Sequence, residues 1–223
     1  MPNNVVLIPL RGGSKGIPNK NINNLSGKPL CKWSIEAALG VKNIDKVYVS
    51  TESRVIKDLI LSFNLGVEVI DRPKSLATDE ATTDSVLVHF AKKVNFKNLI
   101  TIQATSPLVS SKSIGEALNL FLSNKYDSLL SINRTKQFLW GDNFKPLNYD
   151  PSNRPRRQDF DGCAVENGAF YITRKEIIEK YKTRLAGNIG FYEMAVEESF
   201  EIDSELDLEI IKSIMKFKGI INE

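Results

Sequence analysis

Val5-Val-Leu-Ile-Pro-Leu-Arg-Gly-Gly-Ser-Lys-Gly-Ile-Pro-Asn-Lys-Asn21 opens on an apolar run and breaks straight into a glycine-rich, cationic loop. Four consecutive apolar residues, Val5–Ile8, ended by a proline, read as a strand buried on both faces, the habit of parallel sheets covered by helices. Runs of the same kind recur at Val47–Ser50, Val67–Ile70, Leu99–Ile102 and Ser128–Ile132. Between them, Ser34–Leu39, Val55–Phe63, Ser85–Val94 and Ile114–Leu122 carry the 3.6-residue spacing of helices packed on a sheet. That alternation implies a three-layer α/β domain with a mainly parallel sheet and right-handed crossovers. Ligands of such sheets sit outside the carboxyl ends of the strands. The loops of interest are therefore Pro9–Asn21, Thr51–Arg54, Arg72–Asp84 and Gln103–Lys112.

The rhythm stops after Ile132. Residues 133–163 are polar and irregular, with prolines at 146, 151 and 155 and the string Arg154-Pro-Arg-Arg-Gln158. A stretch this long without periodicity is usually functional or covered by a partner. Strand character returns at Ala169–Thr173, and helices are expected over Lys175–Lys182 and Glu205–Lys216. Ser204 is placed to cap the last helix, with Asp207 in its first turn. Nothing repeats, and the 223 residues suit a single domain.

Bulk composition narrows the function classes. Hydrophobic residues make up 42% and charged residues 26%, ordinary for a globular chain, and the formal charge of +3 is too small for a nucleic-acid binder. No apolar run approaches the roughly 20 residues of a membrane span, and no leader pattern opens the chain, which reads as cytoplasmic. Two distant cysteines, Cys31 and Cys163, exclude a thiolate metal site by count and make a disulfide an unfavoured reading. His89, the one histidine, sits in a helical stretch with no nucleophile pattern around it and reads as structural or surface.

The opening loop carries the chemistry. Gly12 and Gly13, with Gly16 beyond them, let backbone amides approach an anion, and their N–H groups are expected to form an inward-facing nest. Arg11 and Lys15 can neutralise phosphate oxygens from two sides, and Lys20 adds a third cation. The spacing is neither that of a Walker A loop nor that of a dinucleotide fingerprint. The plain alternative is a solvated turn.

Pro9–Asn21 closely resembles the signature of the acylneuraminate cytidylyltransferases, the CMP-sialic acid synthetases. The resemblance continues in order through Arg72-Pro-Lys-Ser-Leu-Ala-Thr-Asp79, Gln103-Ala-Thr-Ser-Pro-Leu108, Arg154-Pro-Arg-Arg-Gln-Asp159, Glu166-Asn-Gly-Ala-Phe-Tyr171 and Phe200-Glu-Ile-Asp-Ser-Glu-Leu-Asp207. It implies a Rossmann-like nucleotidyltransferase domain with a dimerisation insertion at about 133–167, and hence a homodimer. The implied reaction takes CTP and a nine-carbon sugar acid. Arg11, Gly12, Gly13, Ser14, Lys15 and Asn21 would hold CTP, with Asn21 reading cytosine, and Arg11, Lys15 and Asp203 would be catalytic. Arg72, Ala77 and Thr78 would close the other side of the nucleotide. A salt bridge from Arg72 to Asp71 or Asp79 is the structural alternative.

The sugar would lie against Gln103, Thr105 and Ser106, with Arg157, Gln158, Asn167 and Tyr171 completing its pocket and Phe191 and Tyr192 walling it. Amides and hydroxyls suit a polyhydroxylated substrate because they both donate and accept. An arginine suits its carboxylate. Glu201-Ile-Asp203 reads as strand alternation, with both carboxylates on one face and Ile202 in the core. Beside a triphosphate such a pair suits Mg²⁺ or another divalent cation. The family usually has Asp where this chain has Glu201, which makes Asp203 the stronger ligand. Gln103-Ala-Thr-Ser-Pro107 lacks the acid that CMP-Kdo synthetases typically place there, which favours the sialic-acid branch. Two alternatives stay open: the same chemistry on legionaminate, pseudaminate or Kdn, and a nucleotide-sugar binding module without activity.

Overall fold

The computed structural model describes residues 2–13 and 17–221, so Ser14 and Lys15, both expected in the nucleotide site, lie outside the described residues. In chain order the elements are β1 (Asn4–Pro9), β2 (Asn24–Leu25), β3 (Lys28–Pro29), α1 (Leu30–Leu39), β4 (Lys46–Thr51), α2 (Arg54–Ser62), β5 (Glu68–Asp71), α3 (Thr83–Lys93), β6 (Asn98–Ile102), α4 (Ser111–Ser123), β7 (Ser128–Thr135), β8 (Cys163–Arg174), α5 (Lys175–Tyr181), β9 (Ile189–Glu193) and α6 (Glu205–Phe217). Seven strands form one sheet in the order β5-β4-β1-β6-β8-β7-β9. Every neighbouring pair is parallel except those made by β8, which runs antiparallel to both β6 and β7.

Alternation along β1 divides the core. Val6 and Ile8 pack toward α1, α2 and α4, whereas Val5 and Leu7 pack with Phe90 and Leu87 of α3 and Ile178 of α5. Residues Val5–Ile8 are fully buried, as an apolar run covered on both faces requires. The mainly parallel three-layer architecture therefore stands. β9 has no counterpart among the expected strands. Only Gly190 of it is fully buried, so it lacks a continuous apolar run to mark it.

Two segments differ from the sequence reading. Residues 201–203 belong to no strand; Ile202 is buried, and its N–H donates to the Thr105 carbonyl at 2.8 Å, which straps the segment to the loop after β6. The polar stretch beginning at residue 133 is the far end of a long β7–β8 hairpin, with Asn133 opposite Val165 and Thr135 opposite Cys163. The first residues of β8 are exposed, so they have no core face to impress apolar alternation on the sequence. Beyond the paired strands an arm is held by its own aromatics: Phe138 lies 4.4 Å from Tyr149 and 5.2 Å from Phe160, with the Arg154 guanidinium over its face at 4.5 Å.

α6 begins as expected. Ser204 accepts the Asp207 N–H while the Asp207 carboxylate accepts the Ser204 N–H, a reciprocal capping box. On the α3 side of the core Phe90 is fully buried, stacked on Phe96 at 5.4 Å and edge-on to Tyr48 at 5.1 Å. Phe90→Ala should lower unfolding free energy by about 3–5 kcal/mol in urea titrations, and a loss below about 1 kcal/mol would contradict this packing.

Candidate active site

At the carboxyl ends of β1 and β6 lies a cavity of about 460 Å³. It gathers Arg11, Lys20, Asn21, Arg72, Thr78, Gln103, Thr105 and Asp203, eight residues singled out separately in the sequence, together with Asp79. Ala77 closes the short helical turn Lys74–Leu76 but does not line the cavity. Asn21 is buried and donates its amide N–H to the Arg11 carbonyl at 3.0 Å, so it braces the loop from within. Arg11 reaches across to Asp79 Oδ1 at 2.8 Å. Lys20 Nζ donates to the Ile202 carbonyl at 2.7 Å and to Asp203 Oδ1 at 3.0 Å. Both ion pairs have an exposed member, and such pairs are weak enough to give way to a more highly charged ligand.

The expected nest of loop amides is modified by a residue that the sequence reading passed over. Glu52, in the turn after β4, accepts the Gly12 N–H on Oε1 at 2.6 Å, and its Oε2 accepts from Arg72 Nε at 3.1 Å and Nη2 at 3.0 Å. The Gly12 amide therefore faces Glu52. A side chain at Gly12 would bring its Cβ within 3.0 Å of the Ser53 Cβ, which explains the glycine. Arg72 is buried, and burial pulls its guanidinium below its ordinary pKa while Glu52 pulls the other way. Its ion-pair partner is Glu52. The signal available beforehand was an acid at the carboxyl end of a strand beside the glycine loop, but nothing in the spacing linked Glu52 to Gly12.

A second cavity, about 590 Å³, is lined by Asn133, Val165, Glu166, Asn167, Gly168, Tyr171, Val196, Ser199, Phe200 and Glu201. The Tyr171 hydroxyl donates to Glu166, and burial with that bond raises its pKa. Asn167 accepts from the Ser131 hydroxyl at 2.6 Å and from the Ala169 N–H at 3.2 Å. Glu201 accepts from the buried Ser106 hydroxyl at 3.4 Å and lies over Gly168, whose φ of 71° and lack of a Cβ admit it; an added Cβ would sit 2.6 Å from Glu201 Oε1. The two carboxylates expected on one face thus part company, Asp203 lining the first cavity and Glu201 the second. Burial, then the charge of Asp203, raises the Glu201 pKa above the usual 4.5.

Four other expected sugar contacts lie elsewhere. Arg157 and Gln158 are exposed in a turn of the arm and line neither cavity. Phe191 and Tyr192 lie on β9, with the Tyr192 hydroxyl bonded to Glu116 of α4 at 2.6 Å. His89 is on α3, its Nδ1 buried without a partner and its pKa lowered by burial. Cys31 and Cys163 are both free thiols, and burial pushes Cys31 up to about 12.

A divalent cation can be tested against this donor set. Among the described residues no group of three or more His, Cys, Asp or Glu could hold a metal by itself. Asp203, with its side chain largely exposed at the first cavity, offers oxygen ligation there. Mg²⁺ is commonly bound by one or two carboxylates plus substrate phosphates, so the residues fit a cation that arrives with a triphosphate.

Comparison with known proteins places the chain. A family model described as cytidylyltransferase matches residues 5–221. The chain belongs to the cytidylyltransferase family. It is 37% identical over 220 residues to N-acylneuraminate cytidylyltransferase A of Danio rerio, covering 95% of this chain and 50% of that protein. It is 31% identical over 228 residues to the N-acylneuraminate cytidylyltransferase of Streptococcus agalactiae serotype V, covering 98% of this chain and 55% of that one. The chain thus spans about half the length of these curated relatives. A solved CMP:2-keto-3-deoxy-manno-octonic acid synthetase complexed with CTP shares the fold, with a TM-score of 0.76 at 19% identity and coverage of 97% of this chain and 99% of that one.

The raised pKa of Glu201 has a direct consequence for this chain. Above the ordinary value of 4.5 the folded chain holds that proton more tightly than the unfolded chain does. Stability from this group is therefore lost as pH rises from 4.5 through the raised value. In thermal melts with EDTA, Glu201→Gln should gain stability relative to the parent chain between pH 4 and pH 7. An unchanged difference across that range would contradict the burial of Glu201.

Proposed function

We propose that this chain transfers CMP from CTP to the anomeric hydroxyl of an N-acylneuraminate, releasing pyrophosphate. The observation that carries this reading is the meeting of Arg11, Lys20, Asn21, Gln103 and Asp203 in one cavity at the carboxyl edge of the sheet, in a member of the cytidylyltransferase family. The triphosphate lies against the loop after β1, where Arg11 and Lys20 exchange Asp79 and Asp203 for phosphate oxygens. Asn21, its nitrogen engaged with Arg11, keeps its amide oxygen to accept the cytosine amino group. The sugar hydroxyl attacks the α-phosphorus in line; its O–P bond forms as the bond from that phosphorus to the oxygen bridging the β-phosphate breaks, and the hydroxyl proton passes to solvent. Such transfer depends chiefly on positioning and on stabilising charge at the phosphoryl oxygens. Mg²⁺, or another divalent cation held by Asp203, supplies further neutralisation there when bound. Glu201, turned to the second cavity, is left to the sugar side, so the metal role rests on Asp203.

The second cavity suits the polyol and acyl parts of the sugar, with Asn167, Tyr171, Glu166 and Glu201 for hydroxyls and Val165, Val196 and Phe200 for a methyl. Among the described residues its lining has two acids and no Lys or Arg, so the sugar carboxylate needs a cation from elsewhere. A homodimer answers this need. The arm exposes Trp140, Phe144 and Leu147, which favours a second copy as its cover, and it carries Arg157 and Gln158 away from its own cavities. We place the activity in the cytoplasm, a compartment that keeps free thiols such as Cys31 and Cys163 reduced. Among the described residues no helix is long and apolar enough to cross a membrane.

Pyrophosphate release from CTP with N-acetylneuraminate, legionaminate, pseudaminate and Kdn tests the reading and ranks the sugars. Lys15→Ala should cost roughly two orders of magnitude in kcat/KM with the fold intact. Arg157→Ala should raise KM for the sugar and leave KM for CTP within about twofold. Binding of CTP without pyrophosphate release from any of the four would instead support a binding module.

A further inference from the structure

We infer that Glu52 is a positioning residue of the nucleotide site, and that Arg72 serves the site through Glu52 rather than by contact with phosphate. The inference rests on the reading that the loop after β1 receives CTP.

Each oxygen of Glu52 faces a different element. Oε1 takes the Gly12 N–H at 2.6 Å, and Oε2 takes Arg72 Nε and Nη2 at 3.1 and 3.0 Å. The side chains are 12% and 3% exposed, so the pair is shielded from water and salt, unlike Arg11–Asp79 at 36% and 41%. Arg72 is fixed at its backbone as well, its N–H donating to the Thr51 carbonyl at 3.1 Å. The guanidinium is thus committed on one edge to a neighbouring carboxylate, and its charge is matched before any ligand arrives.

The other end of this clamp is the anion loop. Three successive residues are tied down: Leu10 N–H to the Ser50 carbonyl at 2.9 Å, the Arg11 carbonyl to Asn21 at 3.0 Å, and Gly12 N–H to Glu52. Arg11, a cation that lines the first cavity, is therefore held on both sides by hydrogen bonds to the main chain, two of them made by the side chains of Asn21 and Glu52. Removing Glu52 frees Gly12 and leaves the loop to be ordered by the nucleotide at the moment of binding, which weakens affinity. Removing Arg72 leaves a nearly buried carboxylate without its counter-charge, which disturbs the same bond from the other end.

Direct contact between Arg72 and phosphate predicts something different, and CTP affinity measured by calorimetry on the intact chain separates the two. Glu52→Ala and Arg72→Met should each weaken CTP binding roughly tenfold or more. The double variant Glu52→Gln/Arg72→Met should return to within about threefold of the parent chain, because glutamine still accepts the Gly12 N–H and no buried charge is left unpaired. In turnover, Glu52→Ala should raise KM for CTP and leave KM for the sugar within about twofold. A double variant as weak as Arg72→Met alone would overturn the inference, as would a folded Glu52→Ala chain with the parent's CTP affinity. Should Glu52→Ala fail to fold, as circular dichroism would show, the double variant carries the test. A parent chain that binds no CTP would overturn the functional reading, and this inference with it; either of the other outcomes overturns this inference alone.

Discussion

β1 is the strand on which the rest of the molecule depends. It is six residues long, its apolar run buried on both faces, and it has a parallel partner on either side in β4 and β6. A strand so enclosed cannot shift register without turning Val6 and Ile8 away from one helical layer and Val5 and Leu7 away from the other. Its carboxyl end is fixed to the same degree, and that end delivers Arg11 to the cavity. Burial of apolar surface deep in the sheet is in this way converted into a defined position for a charge at its edge.

Charge is divided in a consistent manner around that edge. Arg72 and Glu52 form a shielded pair within the wall, while Arg11 and Lys20 form more open pairs with Asp79 and Asp203 at the cavity. The buried pair gives shape, and the open pairs are the ones a more highly charged ligand can displace. Ile202 performs the corresponding task on the other side. Buried and bonded to Thr105, it holds Asp203 at the first cavity and Glu201 at the second.

Much of this was legible in the sequence because the core elements carry strong period signals. Val5–Ile8, Val47–Ser50 and Leu99–Ile102 announce buried parallel strands, and the loops that follow them supply the cavity. β9 and the first residues of β8 were not legible, since strands with few buried residues leave no alternation to read. The strap at 201–203 looked like a strand for the converse reason. One buried isoleucine between two acids mimics period two, although its N–H goes to the loop carbonyl of Thr105 and its own carbonyl accepts from Lys20. Glu52 went unread because its meaning lies in contacts with Gly12 and Arg72, 40 and 20 positions away along the chain.

The central claim, that the loop after β1 holds the triphosphate with Glu52 still bracing it, is tested most directly by a crystal structure with CTP and Mg²⁺. The triphosphate should lie against Arg11 and Lys20, cytosine should be within hydrogen-bond reach of Asn21, and the Glu52 bond to Gly12 should be retained. A nucleotide seated in the second cavity, or a Glu52 displaced from Gly12 by phosphate, would contradict it.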